Sequence, residues 1–268
     1  CVRCFANAEK PIGITTPSYS LYRNLASLQG APVIDVPFEA DFSLDPQRIG
    51  FCKANLFFLT TPNAPSGVGY SNGALVKTLN LFPGILVADE AYADFAPKNA
   101  VSLLADYPRL LIVRTLSKSY GLAGLRVGYA LGSPDVIALL DKAREIYNVD
   151  RLAQAAALAA IRDQDHFRST KEKILATRDN FTKWLRDKKW NTYDSQTNFV
   201  FTEPRTSTGR TGSEVAQEAF DFLVERKVLT RRFAKHPLTS SRLRISIGTE
   251  IEMGIVAKAI EEWLRKEL

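Results

Sequence analysis

The sequence predicts an α/β fold: a three-layer arrangement of a mainly parallel sheet with helices on both faces, followed by a smaller C-terminal α+β domain. Three observations predict it. From Pro11 to about Gly132, short apolar runs alternate with helix-like segments. Most of these runs are continuous rather than alternating, as strands read when helices cover both faces of a sheet. After the region of His166 the pattern changes to fewer strands set among longer amphipathic helices.

The strand expectations are Ile12 to Thr15, Val33 to Val36, Asn55 to Thr60, Ile85 to Asp89, Leu110 to Thr115 and Val127 to Leu131. Between them, Tyr19 to Gln29, Asn72 to Leu81 and the segment around Ser102 to Asp106 read as helices. Ser133-Pro134-Asp135 opens a further helix through Tyr147, with proline in the first turn. Arg151 to Arg162 continues the helical stretch, and its Ala-rich part, Leu152 to Ile161, reads as buried. Phe167 to Lys188 is a charged helix. Beyond it lie strands at Asn198 to Thr202, Val228 to Arg231 and Arg242 to Ile247, and helices at Ser213 to Arg226 and Glu250 to Lys266. The expected domains are residues 1–165 and 166–268. Trp184, Trp190 and Trp263 fit the core of the second.

The 268 residues are 46% hydrophobic and 24% charged, which allows a sizeable core and excludes wholesale disorder. No apolar run reaches the roughly 18 residues that span a bilayer. The net charge of +6 is scattered, without the concentrated basic stripe of a nucleic-acid groove. Three cysteines, Cys1, Cys4 and Cys52, are too few for a disulfide scaffold, and the single C-x-x-C has no second pair or histidine cluster to make a metal site. A reduced cytoplasmic setting is the default, and no signal peptide is visible. The sequence starts without methionine, and Val2, Phe5 and Ala6 read as the end of a helix already under way, so the chain is expected to lack its front part.

Three stretches carry chemistry. Thr115 to Gly128 (TLSKSYGLAGLRVG) follows a buried strand and sets Lys118 among hydroxyls, glycines and Arg126. Such a loop gathers hydroxyls, N–H groups and a guanidinium around one anion, beside an amine able to form a Schiff base. Ile85 to Tyr92 (ILVADEAY) brings Asp89 to the carboxyl end of a strand, where open α/β sheets place their ligands. There the acid needs a cationic or N–H partner, and Tyr92 stands three residues on. Thr60 to Gly67 (TTPNAPSG) ends another strand in a turn that presents Asn63. Taken singly, these read as a turn with a solvated lysine, a helix cap and a tight turn. Together they fall 26 and 29 residues apart, each interval long enough for a strand-to-strand crossover. Pyridoxal phosphate needs just such a lysine, acid and anion cradle at one sheet edge.

These residues resemble those of fold type I pyridoxal-phosphate enzymes, most closely the histidinol-phosphate aminotransferase family. The resemblance runs through Pro17 to Tyr22, Pro62 to Gly67, Ala88 to Tyr92, Arg114 to Gly128, Thr197 to Phe199 and Leu243 to Thr249. It implies that Lys118 holds the cofactor and shuttles the proton, Asp89 pairs with the ring nitrogen, and Tyr92 bonds the ring oxygen. Thr115, Ser117 and Arg126 would take the cofactor phosphate, and Tyr19 would stack on the ring. Arg244 would fork onto the substrate carboxylate, Arg231 would meet the substrate phosphate, and Asn198 would line the pocket. The family often has two asparagines before its turn; here the second position is Ala64, so either Asn63 takes the ring-oxygen contact or Tyr92 serves alone.

The implied activity is amino transfer between histidinol phosphate and 2-oxoglutarate in a cytoplasmic homodimer, with small-molecule partners and neither nucleic acid nor membrane. Alternatives are an aromatic amino acid aminotransferase, a threonine-phosphate decarboxylase-like lyase and a non-catalytic cofactor-binding module. Tyr22, His166 and His236 carry no chemistry in this reading; Tyr22 is a helix-face neighbour of Tyr19.

Overall fold

A computed structural model describes residues 1–266. It divides into two compact units, Cys1–Ala64 with Gly69–Phe167, and Pro65–Val68 with Arg168–Leu268. The division falls within one long helix.

The first unit is built on six strands. In chain order its elements are α1 (Val2–Phe5), β1 (Ile12–Thr16), α2 (Leu21–Leu28), β2 (Val33–Pro37), α3 (Pro46–Gly50), β3 (Leu56–Thr60), α4 (Asn72–Leu81), β4 (Ile85–Asp89), β5 (Leu110–Thr115), β6 (Gly128–Gly132), α5 (Pro134–Ala143) and α6 (Arg151–Arg162). The sheet order is β2-β1-β3-β4-β5-β6. Every pairing is parallel except β5 with β6, which is antiparallel.

Alternation along the strands explains the layers. Leu56, Phe58, Val87 and Leu111 join one apolar cluster with Val2, Phe5, Tyr22, Ala26 and Val136 of α1, α2 and α5. The intervening Phe57, Leu59, Leu86, Ala88, Leu110 and Ile112 join a second cluster with Ile49, Leu75 and Leu79 of α3 and α4. Successive side chains of a strand point to opposite faces, so a sheet covered on both sides needs apolar residues at every position.

Helix starts follow capping chemistry. Asp45, Ser71 and Asp150 each accept backbone N–H bonds at the starts of α3, α4 and α6. Several expectations need correction. The segment around Ser102 to Asp106 forms only a 3₁₀ turn, Val101–Leu103, too short to bury a helical face. α5 stops at Ala143, short of Tyr147. α6 is not buried: Ala153 and Ala157 are, but Leu152, Leu158 and Ile161 are 80%, 50% and 44% exposed.

The second unit holds α7 (Gln164–Asp187) from Arg168 onward, β7 (Asn191–Thr192), β8 (Phe199–Glu203), α8 (Ser213–Glu225), β9 (Arg231–Arg232), α9 (Pro237–Ser240), β10 (Leu243–Ser246) and α10 (Glu250–Lys266). Its antiparallel sheet runs β7-β8-β10-β9. Trp190 and Trp263 meet edge to face in its core, and Trp184 packs against the same cluster, stacked on Phe181. The expected strand at Val228 to Arg231 shrinks to Arg231–Arg232, because Val228 turns into the core beneath α8 and only the two arginines enter a ladder.

Candidate active site

The carboxyl ends of β3 and β4 start the site. Thr60 and Asp89 are direct partners in the parallel register. The turn after β3 is tied to β4 by the Thr61 N–H, which donates to the Asp89 carbonyl at 2.9 Å. Asn63, two residues on, is wholly buried.

Each oxygen of the Asp89 carboxylate accepts one bond. The Ala91 N–H donates to Oδ1 at 3.1 Å, and the Tyr22 hydroxyl donates to Oδ2 at 2.5 Å. Burial pushes the Asp89 carboxyl above its ordinary pKa, and these two donors pull the other way. Burial also pushes the Tyr22 phenol well above its usual range, and the neighbouring Asp89 charge adds to the effect. The sequence reading missed Tyr22. Its ring is 4% exposed, lies 4.6 Å from Phe58 in a stacked pair, and meets Tyr19 edge to face at 5.6 Å. The signal that would have found it is a tyrosine on the buried face of an amphipathic helix. Its hydroxyl then needs a polar partner near the sheet edge. Tyr19 itself is half exposed, at 50%.

Tyr92 follows Asp89 in the turn after β4 and is buried. Lys118, in the loop after β5, brings its ammonium nitrogen 5.5 Å from the centre of the Tyr92 ring. The lysine loop is held at several points. The Gly121 N–H donates to the Lys118 carbonyl at 3.2 Å, with Gly121 at φ +68°, where a side chain would be strained. Ser119, adjacent to Lys118, donates its hydroxyl to Asp94. At the loop's root the Thr115 hydroxyl meets the Ser117 hydroxyl at 2.8 Å and accepts the Ser117 N–H at 3.1 Å. Arg126 is exposed, adopts φ +56° and donates to the Ala123 carbonyl at 2.9 Å.

Beneath this cluster, Arg114 grips Glu90 through Nε at 2.9 Å and Nη2 at 2.7 Å, while the Ala100 N–H donates to the other carboxylate oxygen at 2.5 Å. Sequence reading had not singled out this pair. It joins β4 to β5 one residue beyond Asp89 and one before Thr115.

Asn198, Arg231 and Arg244 lie in the second unit. Arg231 and Arg244 are direct cross-strand partners. Both guanidinium carbons lie 5.4 Å from the centre of Phe233, and that of Arg244 also lies 5.0 Å from Phe199. Two cations on one strand pair suit a ligand with two anionic groups. The Asn198 carbonyl accepts the Ile247 N–H at 2.9 Å, which fixes the entry to β8.

The donor set of the first unit fits pyridoxal phosphate: an amine against the Tyr92 ring, a carboxylate held by N–H and O–H donors, and the hydroxyls and guanidinium of the lysine loop. Fold and site together define a class of protein. The family described as aminotransferase class I and II matches residues 1–260, and the chain belongs to it. Within that class it groups with the histidinol-phosphate aminotransferases. It is 44% identical over 263 residues to the histidinol-phosphate aminotransferase of Geotalea uraniireducens, covering 97% of this chain and 73% of the relative. The crystal structure of histidinol-phosphate aminotransferase from Sinorhizobium meliloti, in complex with pyridoxal-5'-phosphate, superposes with a TM-score of 0.89 at 29% identity, covering 99% of this chain and 73% of that one. The L-threonine-O-3-phosphate decarboxylase of Porphyromonas gingivalis shares the fold, with a TM-score of 0.80 at 22% identity over 98% of this chain and 80% of that one.

Proposed function

We propose that the protein is a pyridoxal-phosphate-dependent aminotransferase that converts histidinol phosphate and 2-oxoglutarate to imidazole acetol phosphate and glutamate. The observation that carries the aminotransferase reading is the meeting of Lys118 with Tyr92, three residues from Asp89, at the carboxyl edge of the sheet. The substrate follows from the relatives, of which the Geotalea uraniireducens enzyme is 44% identical over 97% of this chain.

When bound, the cofactor supplies an electron sink beside the substrate's Cα. The residues of the chain do the rest. Lys118 carries the cofactor and moves the proton at Cα. Asp89 would take the ring nitrogen and keep it protonated; a cation there would offset the burial of the carboxylate. The Tyr92 hydroxyl and Asn63 serve the ring oxygen. Thr115, Ser117 and Arg126 would hold the cofactor phosphate, and Tyr19 would cover the ring. In the second unit Arg244 forks onto the carboxylate of 2-oxoglutarate or glutamate, Arg231 meets the phosphate of histidinol phosphate, which has no carboxylate, and Asn198 orients the substrate.

The same reading makes the protein a cytoplasmic homodimer. In support, Cys1, Cys4 and Cys52 are all free thiols. Among the described residues no helix is long and apolar enough to cross a membrane. Ile146, Tyr147 and Leu152 are 84%, 96% and 80% exposed, apolar side chains that a partner subunit would cover. Sedimentation of the active species tests the dimer.

The reaction is tested by supplying histidinol phosphate and 2-oxoglutarate to the protein loaded with cofactor and measuring glutamate. Carbon dioxide released from threonine phosphate, with no glutamate formed from histidinol phosphate, would make the protein a lyase instead.

A further inference from the structure

We propose that Tyr22 is a positioning residue for the cofactor site, the last member of a directed hydroxyl chain that runs from Ser18 through Thr60 to Tyr22 and orients the Asp89 carboxylate toward the ring nitrogen. The proposal rests on the assignment of Asp89 to that nitrogen.

The direction of the chain follows from proton counting. A phenol has one proton to donate. Tyr22 gives it to Asp89 Oδ2, at 2.5 Å, because an ionised carboxylate only accepts. Toward Thr60, 2.8 Å away, Tyr22 therefore accepts, and Thr60 spends its own proton there. Thr60 then accepts from the Ser18 hydroxyl at 3.1 Å. Three hydroxyls point their dipoles the same way and end on one carboxylate oxygen, and each polarises the next.

The geometry leaves Asp89 little freedom. Its Oδ1 is held by the Ala91 N–H and its Oδ2 by Tyr22. Each oxygen keeps a further lone pair for a ligand. The phenol cannot swing away, since its ring is buried and stacked on Phe58 of β3, the strand that also supplies Thr60. The three elements that meet here, β3, β4 and α2, are thereby locked at the point where the ring nitrogen is held. A phenylalanine at position 22 would fill the same space, so Tyr22→Phe removes the donor and keeps the packing.

The test compares two ligands. One is pyridoxal phosphate; the other is its 1-deaza analogue, in which the ring nitrogen is replaced by C–H. Dissociation constants are measured for wild type, Tyr22→Phe and Asp89→Asn. A hydrogen bond to a charged group leads us to expect that Tyr22→Phe binds pyridoxal phosphate about tenfold more weakly, and that the deaza analogue binds it and wild type alike. Asp89→Asn should lose the wild-type preference for the nitrogen-containing ring. Equal weakening of both ligands by Tyr22→Phe would make the residue merely structural and overturn the proposal, as would no weakening of either. If Asp89→Asn keeps the wild-type preference, Asp89 is not the nitrogen's partner and both readings fall. If it loses the preference while Tyr22→Phe binds as wild type does, only the role of Tyr22 falls.

Discussion

The ammonium nitrogen of Lys118 lies 5.5 Å from the centre of the Tyr92 ring. Strands β4 and β5 are parallel neighbours, so the turns that follow them leave the same edge of the sheet, and two loops far apart in sequence converge. The contact holds an amine against the face of a tyrosine that stands three residues after Asp89 in the turn that leaves β4. Lys118→Ala should abolish the visible absorption band of the cofactor-loaded protein and lower amino transfer by at least about 10²–10⁴-fold, the range for a lost proton-transfer group. Absorption spectroscopy and glutamate formation check it; a variant retaining both would remove Lys118 from the mechanism.

Asp89 works against the stability of the cofactor-free protein. Burial raises its folded pKa above the ordinary 3.8. A raised acid contributes its full share of stability below 3.8 and loses it as pH climbs through the folded value. At neutral pH the buried charge is therefore a penalty. Asp89→Asn should raise the melting temperature of the cofactor-free protein at pH 7, at roughly 2–4 °C per kcal/mol recovered, and the gain should vanish toward pH 3.8. The same substitution should weaken cofactor binding. Calorimetry across pH decides; a variant that melts lower than wild type at pH 7 contradicts the account.

The Glu90–Arg114 pair is the converse, a charge pair that holds the site's frame. The Glu90 side chain is 1% exposed and that of Arg114 15%. Glu90→Ala would leave a mostly buried guanidinium and the Ala100 N–H without their acceptor. Removing one partner of such a pair costs about 3–5 kcal/mol. Urea unfolding of the cofactor-free protein should show a loss in that range. Arg114→Met restores apolar packing, though the Glu90 carboxylate loses its partner, so it should lose no less. A change under about 1 kcal/mol in either would demote the pair to an ordinary surface contact.

Local signals made much of this architecture legible. β4, β5, α4 and α6 begin and end where apolar runs and the caps Ser71 and Asp150 mark them. α3 escaped because a five-residue helix shows no periodicity; its aspartate cap and proline at the first position were its only signs. The apolar Val228 and Leu229 read as a strand, yet apolar character alone does not make a ladder, and pairing starts at Arg231. Tyr22 was hidden for another reason. Its partner Asp89 is 67 residues away, and no spacing rule announces that α2 lays its phenol across the ends of β3 and β4. Lys118 and Asp89 were legible because the cofactor demands those residue types at strand ends. Tyr22 was not, because it serves one of those residues.

The arginines of the second unit yield the last prediction. Arg231 and Arg244 stand directly opposite each other on β9 and β10 and share Phe233. Like charges in that relation destabilise a strand pair by a few tenths of a kcal/mol to about 1 kcal/mol. A dianionic substrate would relieve the repulsion, so strain in the free protein becomes affinity in the complex. Arg231→Gln should therefore leave the substrate-free protein as stable or slightly more stable, while raising KM for histidinol phosphate about tenfold or more through the lost charge-assisted bonds. The KM of a substrate lacking the phosphate should move far less. Arg244→Lys keeps the charge and loses the fork, so it should raise KM for 2-oxoglutarate, whose carboxylate suits the fork. Steady-state kinetics with the two amino donors reads the difference. Equal losses for both donors in Arg231→Gln would show that Arg231 does not single out the phosphate.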